Sequence, residues 1–437
     1  MQFFTFFRLA IRYLYRYRRR YLFLFIAISF GFSIVTFMMS IKDGMTENLY
    51  RSAQSHYAGD IIAIGRDEDS EQSYHLNQKE ITAIRTAAQT IALNPVQTVL
   101  RTNSFGGAGG TLLYYNGTAV ALRYLTGVDW DAEADYFNHL RYQVPRGPLG
   151  DTSIVLSAPV AHELGIKMGD SLILETRTRT NQKNTGVFIV GGIVEDSSIF
   201  GYYKAYISRP ALNTLIGFGY DDCSSVGFFI RDRKEIDRKQ ALLLHELEQQ
   251  IPTAPLILDR DDLRRETHQQ WEGIRTFVLT LPVYLSEVSD LLDAINILTY
   301  FLYAMMLLLI FVSDAVTYRL ILHERNKEIG TMRTIGFYEA DIRYILLMET
   351  FCLGLLSLAA GFILAWLFSK LLPFIPFSAF PSFDIFMEDG KMTTLYTLRT
   401  TLINIISVFC MLFTAVFIPA FRASRYPLPR MLSGDEV

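Results

Sequence analysis

Few side chains in this 437-residue sequence have the types and spacings that do chemistry. Asp129, Glu133, Asp135, Glu195 and Asp196 offer carboxylates for a cation or for divided acid and base roles, but no His or Cys stands beside them at ligand spacing. Surface carboxylates are the better reading. Cys223, Cys352 and Cys410 are widely separated and the last two fall in apolar runs, so neither a disulfide framework nor a Cys-x-x-Cys metal site arises. The glycines at 106, 107, 109 and 110 would cradle a phosphate only ahead of a helix N-terminus, whereas the β-prone residues 111–115 follow and favour a flexible hairpin connection. A Gly-x-x-x-x-Gly-Lys-Ser/Thr loop does not occur, so the chain does not hold nucleotide by the P-loop route. No catalytic, cofactor-binding or metal-ligating residue is therefore assigned, and any energy source lies in another chain.

What remains is a charged segment, residues 323–337, between two long apolar runs. Ile329, Met332 and Ile335 recur at three-residue spacing while Glu324, Arg325, Lys327, Glu328 and Arg333 keep the other surfaces wet. That pattern fits a short helix with one narrow apolar stripe to offer a partner; it also fits a solvated loop between membrane spans. Gly330 would let another backbone come close, and Gly336 follows the last periodic residue as a helix stop.

The elements that must position this segment are membrane spans. Half of the residues are hydrophobic and 19% are charged, too apolar for an ordinary soluble enzyme and too charged for a chain buried in lipid throughout. A net charge of −3 gives no reason to expect nucleic-acid binding. Residues 1–20 carry Arg8, Arg12, Arg16, Arg18, Arg19 and Arg20 ahead of an apolar run at 21–41, which is long enough to span and lacks the small-x-small site of a cleaved signal peptide. Further spans are expected at 295–316, 344–372 and 401–421, with a cytoplasmic segment at 317–343, an outer loop at 373–400 and a cytoplasmic tail at 422–437. The basic clusters of the N-terminus, the 317–343 segment and the tail then all lie inside.

Within the second span Asp314 lies near the cytoplasmic end, where it can reach water or Arg319. Glu349 opens the third, and Gly354 and Gly361, one heptad apart, suit close packing against another span. Phe374, Phe377 and Phe380, interleaved with prolines, fit either interfacial anchoring or a lip that guides a lipid-like substrate.

Residues 42–294 are mixed in composition, large enough for a two-lobed α+β region on the far side of the membrane. Strands are expected at 60–64, 96–101, 171–176, 187–194 and 226–230, and helices at 78–93, 158–164 and 235–250. The last strand and helix resume the first lobe after an inserted second one. From 259 a long helical pattern runs towards the membrane, kinked at Pro282.

The run Glu324-Arg325-x-x-Glu328-Ile329-Gly330-x-Met332-Arg333-x-x-Gly336 resembles the coupling segment of the FtsX/MacB/LolC-type ABC transporter permeases, the type VII or mechanotransmitter group. Pro419-Ala420-x-Arg422-Ala423-Ser424-Arg425 is similar to the C-terminal signature of that family, with its later proline displaced to Pro427 and Pro429. Gly165, Gly169 and Asp170 match a turn of its periplasmic core.

The resemblance implies an α-helical membrane protein with four transmembrane helices and a large α+β extracytoplasmic domain inserted between the first two. It implies a non-catalytic permease subunit in the inner (cytoplasmic) membrane, docked through 323–337 on an ABC ATPase that holds ATP and magnesium. A second permease subunit would pair with it as a homo- or heterodimer. In its four-span form the chain looks most like the lipoprotein-releasing LolC/LolE subunits, which implies lipoprotein cargo, a periplasmic acceptor and contact with membrane lipid. The alternatives are an FtsX-like regulator of an extracytoplasmic enzyme, MacB-like efflux of peptides or small molecules, and a receptor that uses no ATPase.

Overall fold

Apolar length decides the first elements. In the computed structural model, which describes residues 2–16, 18–67, 74–105, 110–195, 200–267, 269, 271–375, 387 and 391–424, helices α1 (Gln2–Arg16) and α2 (Arg18–Tyr57) open the chain. At 40 residues, α2 is about 60 Å long at 1.5 Å per residue, roughly twice a bilayer's hydrocarbon thickness. The chain divides into two compact units: residues 1–47, 292–376 and 391–437 form one, and residues 48–291 and 377–390 the other.

The second unit begins with β1 (Ile61–Asp67), α3 (Gln78–Thr90), β2 (Gln97–Phe105), β3 (Leu112–Tyr115), β4 (Thr118–Ala121), β5 (Tyr124–Val128) and α4 (Ala134–His139). It continues with β6 (Ser153–Ser157), α5 (Ala158–Leu164), β7 (Ser171–Arg177), β8 (Lys183–Val194), β9 (Lys204–Ser208) and α6 (Arg209–Ile216). Strand β10 (Ser225–Phe229), α7 (Ile236–Leu247), α8 (Arg260–Thr267), β11 (Ile274–Thr280) and α9 (Leu281–Tyr284) complete it. Local signals explain several ends: Asn77 and Glu80 form a capping box at the start of α3, and Gly165 takes the left-handed conformation that closes α5.

Among the described residues, eleven strands join one sheet in the order β11-β1-β10-β2-β5-β9-β6-β8-β7-β3-β4. Two cores form on it. Ile61, Ala63, Val226 and Phe228 pack with Ile84 of α3 and Leu243 of α7, while Leu125, Ile154, Leu172 and Ile207 pack with Val160 of α5 and Leu212 of α6. Strand β2 joins the lobes because its first half, from Gln97 to Arg101, pairs with β10 and its second half, from Thr102 to Phe105, pairs with β5.

The connection expected at residues 106–109 lies outside the described residues; a hairpin joins β3 and β4 across Asn116 and Gly117, both at positive φ. Two expectations for this unit are corrected. The long helix expected from 259 is α8 alone. The β-branched and aromatic run Ile274–Thr280 becomes an edge strand, antiparallel to β1 from Ile61↔Thr280 to Asp67↔Ile274, and Pro282 sits in the first turn of α9 instead of kinking a helix. Glu133 is not a surface carboxylate but is buried beside Arg101. Of the other acids considered, Glu195 pairs with Arg141 at 2.7 Å and Asp196 lies outside the described residues. Among the described residues no His, Cys, Asp and Glu cluster could hold a metal ion.

The first unit resumes with α10 (Ser286–Glu324), α11 (Asn326–Thr334), α12 (Glu339–Leu371), a 3₁₀ turn at Leu372–Phe374 and α13 (Leu398–Ser424). Among the described residues, four helices are long and apolar enough to cross a membrane, at Tyr21–Tyr57, Leu292–Glu324, Glu339–Phe374 and Leu398–Phe421, and the α+β region is inserted between the first and second. Phe32, Tyr318, Leu346 and Leu412, one from each, share a core. A Cβ on Gly361 would lie 2.5 Å from the Ser29 carbonyl oxygen of α2, and one on Gly354 would lie 3.2 Å from the Phe409 ring of α13. The two glycines thus admit two different neighbours.

Asp314 does not reach Arg319. Ile310, Asp314 and Tyr318 recur four residues apart on the buried face of α10, whereas Arg319 is exposed on another side. Neither carboxylate oxygen of Asp314 has a hydrogen-bond partner among the described residues. Phe374 is 83% exposed; Phe377 and Phe380 lie outside the described residues.

A candidate coupling site around a buried arginine

The charged segment is not one helix. Backbone helicity breaks at Arg325, which ends α10 and stands at the N-cap position of α11 with φ −97° and ψ 3°. Its carbonyl still accepts from the Ile329 N–H at 3.0 Å, so the chain turns without losing the first bond of the new helix.

The Arg325 side chain points inward, 2% exposed, onto Glu349 of α12, which is wholly buried. One terminal nitrogen donates to Glu349 Oε2 at 2.6 Å and the other to Oε1 at 3.2 Å, the two-point geometry that a planar guanidinium gives a carboxylate. The first nitrogen also donates to the Tyr21 hydroxyl at 2.9 Å, and that hydroxyl donates to Glu349 Oε2 at 2.7 Å. The Tyr13 ring of α1 faces the guanidinium carbon at 4.9 Å, and Glu328 approaches Arg325 Nε at 3.6 Å. One residue therefore ties the start of α11 to α1, α2 and α12. Burial works against the guanidinium's charge, but the charge and hydrogen bonds of Glu349 outweigh it and hold its pKa above the ordinary value. The group is a fixed cation, suited to holding elements together and not to moving protons.

This geometry revises two readings of the segment. Arg325 does not help keep the surface of the segment wet but is buried against Glu349 and Tyr21. The stripe of Ile329, Met332 and Ile335 does not face one way either: Ile329 joins the core and Gly330 is buried, while Met332 is half-buried and Ile335 is 74% exposed. Two steps of three residues each leave part of a turn unfilled, so Ile329 and Ile335 lie about 120° apart around so short a helix. Arg333 is half-buried and reaches Glu339 at 3.5 Å; Glu324 is exposed and Glu328 half-exposed. Gly336, at φ +108°, makes the turn into α12, and Tyr338 beyond it is 79% exposed.

Tyr21 and Tyr13 escape a reading of the sequence. Tyr21 and Glu349 are 328 positions apart, and no spacing rule links them. A second buried arginine escapes it for the same reason. In the other unit Arg101 meets Glu133 through a charge-paired fork and donates to the carbonyls of Ser55 at 2.7 Å and His56 at 2.9 Å, which belong to the last turn of α2. Lys204 and the Tyr206 hydroxyl stand 3.2 and 3.3 Å from His56 Nδ1. Orphan carbonyls at a helix end attract cations, and here the cation is buried with its counter-charge.

Residues 300–428 match the family described as FtsX-like permease C-terminal, and residues 22–240, half of the chain, match that described as MacB-like periplasmic core domain. The chain belongs to the FtsX/MacB-type permeases. Permeases of this family are components of ABC transporters, as a rule non-catalytic, with the ATPase in a partner chain. The four apolar helices fit a multi-pass membrane protein. Among solved structures the permease is similar to the periplasmic region of MacB from Actinobacillus actinomycetemcomitans, at 13% identity over 54% of this chain and 96% of that one, with a TM-score of 0.30. No curated protein matches the chain.

Proposed function

We propose that this permease converts ATP hydrolysis by a separate ABC ATPase into movement of its α+β region on the far side of the inner membrane, and that it does so through α11. The observation that carries this reading is the contrast within α11. Its start is pinned by the Arg325–Glu349 pair, while the turn beyond its end presents Ile335 and Tyr338 at 74% and 79% exposure. Exposed apolar anchors beside an ordered, charged surface are the pattern of a docking hot spot. Basic residues of the N-terminus, the 317–343 segment and the tail favour placing α11 in the cytoplasm.

The cargo we propose is a lipoprotein released from the membrane, with a second permease subunit completing the assembly. The resemblance of the four-span form to the LolC/LolE subunits supports this choice. The Phe374–Phe380 stretch is proposed to lie near the cargo's entry route.

The test is co-purification of the ATPase with Ile335→Asp and Tyr338→Ala variants, alongside cargo transport. A hot-spot residue contributes about 2 kcal/mol or more, so the worse variant should lose roughly thirtyfold in affinity for the ATPase while the permease still inserts and folds. Reversing Glu328 or placing a bulky residue at Gly330 should also weaken coupling, the latter through the packing beneath α11. Wild-type binding and transport in the Ile335 and Tyr338 variants would sink the docking assignment.

A further inference from the structure

Three chain segments meet on one buried carboxyl group where α2 ends. Residues 48–57 of α2 belong to the second unit, and the chain leaves the helix through Ala58 and Gly59, both at positive φ. The turn is pressed onto β10: a Cβ on Gly59 would lie 2.7 Å from the Phe228 backbone nitrogen, and one on Gly227 would overlap the Ala58 carbonyl. Asp60 follows, 0% exposed. Its Oδ1 accepts from the Tyr50 hydroxyl at 2.9 Å, and its Oδ2 accepts from Gln54 Nε2 at 2.8 Å and from the Ile230 N–H at 2.7 Å. Its N–H donates to the Phe228 carbonyl at 2.8 Å, and its carbonyl accepts from the Leu281 N–H at 2.9 Å. Leu281 opens α9, which leads into α10, and the Tyr284 ring of α9 stands 4.8 Å from the Tyr57 ring of α2.

Asp60 therefore touches the outgoing helix, the sheet and the returning chain. Tyr50 and Gln54 are four residues apart on one face of α2, so bonds to both fix the rotation of the helix as well as its position along its axis. A rotation by one residue's angle, about 100°, would carry both donors away. The side chain receives three donors and gives none, the set that suits a carboxylate, and charge-assisted bonds of this kind are the stronger ones. An apolar side chain of equal size would fill the space but leave the rotation of α2 to packing.

We infer that Asp60 is a positioning residue: it locks the rotation of α2 to the sheet and to the chain returning to α10, so that the end of α2 cannot turn without the α+β region turning with it. Its effect on transport rests on the reading that an ATPase drives the permease; the lock itself is measured without an ATPase. Nitroxide labels on Arg51→Cys of α2 and Gln89→Cys of α3, both exposed positions, in a full chain carrying Cys410→Ala, give a distance distribution by pulsed electron spin resonance. Asp60→Leu should broaden that distribution about twofold, since all three side-chain bonds are lost. Asp60→Asn should leave it narrow, because the amide oxygen can take the two donors now on Oδ2 while the amide nitrogen donates to the Tyr50 oxygen. Tyr50→Phe with Gln54→Leu removes the α2 bonds from half-buried positions and should broaden it as Asp60→Leu does, which separates loss of the lock from loss of the fold.

In proteoliposomes with the ATPase, Asp60→Leu should lower the release of an acylated reporter protein per ATP hydrolysed about tenfold, and Asp60→Asn by less than about twofold. A narrow distribution in folded Asp60→Leu and Tyr50→Phe/Gln54→Leu chains would overturn the lock. A broadened distribution with wild-type release per ATP would overturn its role in coupling. If the wild type releases nothing under ATP, the proposed function fails while the label distances still decide the lock.

Discussion

Removing the carboxylate of Glu349 should be among the most damaging single changes to the membrane-embedded unit. Arg325 lies 2.6 Å from it, atom to atom, and is 2% exposed, so Glu349→Ala leaves a guanidinium with no water to replace its counter-charge. Unit charges about 4 Å apart attract by about 4 kcal/mol at an effective dielectric of 20, and breaking one side of a buried pair costs about 3–5 kcal/mol. The Tyr21 hydroxyl loses its acceptor in the same change. Replacing both partners by apolar residues of similar size, as in Arg325→Met with Glu349→Leu, removes the stranded charge, and such replacements are often neutral. The double variant should therefore unfold within about 1 kcal/mol of the wild type, while Glu349→Ala falls well below it. Helical circular dichroism of the purified full chain in a neutral detergent reads both. If the pair also positions α11, the stable double variant should still recover less ATPase on co-purification, since two apolar side chains fix no angle at the break between α10 and α11. A Glu349→Ala chain that unfolded at the wild-type midpoint would refute the energetic reasoning; full ATPase recovery by the double variant would refute the positioning role.

Tyr21→Phe keeps the ring in the core but removes both bonds of its hydroxyl, for a loss of about 1–2 kcal/mol; cargo transport should fall more than ATPase co-purification, and the reverse order would detach α2 from the coupling path. Arg101→Ala strands the buried Glu133 and uncaps the last turn of α2, so the α+β region should lose about 3–5 kcal/mol by thermal unfolding, with Arg101→Lys restoring only part because an ammonium cannot span both carbonyls and the carboxylate. Burial pushes the Cys223 thiol up to about 12, so in the folded chain it should resist maleimide at pH 8 and react after unfolding. The raised value adds stability that is complete below the unfolded thiol's pKa near 9 and is lost as pH climbs towards 12; a flat unfolding midpoint across that interval in wild type relative to Cys223→Ala would contradict it.

Local chemistry made much of the fold legible. Residues 158–164 form α5 because Pro159 suits a first helical turn and Gly165 suits its end, and the apolar lengths announce four helices able to span. What could not be read depends on pairing at a distance. The sheet order that seats β11 beside β1 is set by register between residues more than two hundred positions apart, and Ile274–Thr280 looks helical only while that partner is unknown. The site failed in the same way. Arginine is usually wet, so a motif with Arg325 in it reads as surface; only the approach of Glu349 and Tyr21 makes burial affordable, and nothing in the local pattern carries that.

The two buried arginines hold one helix by different means. Arg325 grips α2 through a side chain, the Tyr21 hydroxyl near its start; Arg101 grips it through main-chain carbonyls, Ser55 and His56 in its last turn. A side-chain grip depends on rotamers, but releasing Arg325 would still unpair the buried Glu349. A grip on terminal carbonyls cannot be exchanged so cheaply, since releasing Arg101 would expose orphan acceptors and unpair Glu133 together. The contact at the end of α2 is thus the costlier of the two to release. The difference follows from which atoms of α2 each arginine touches.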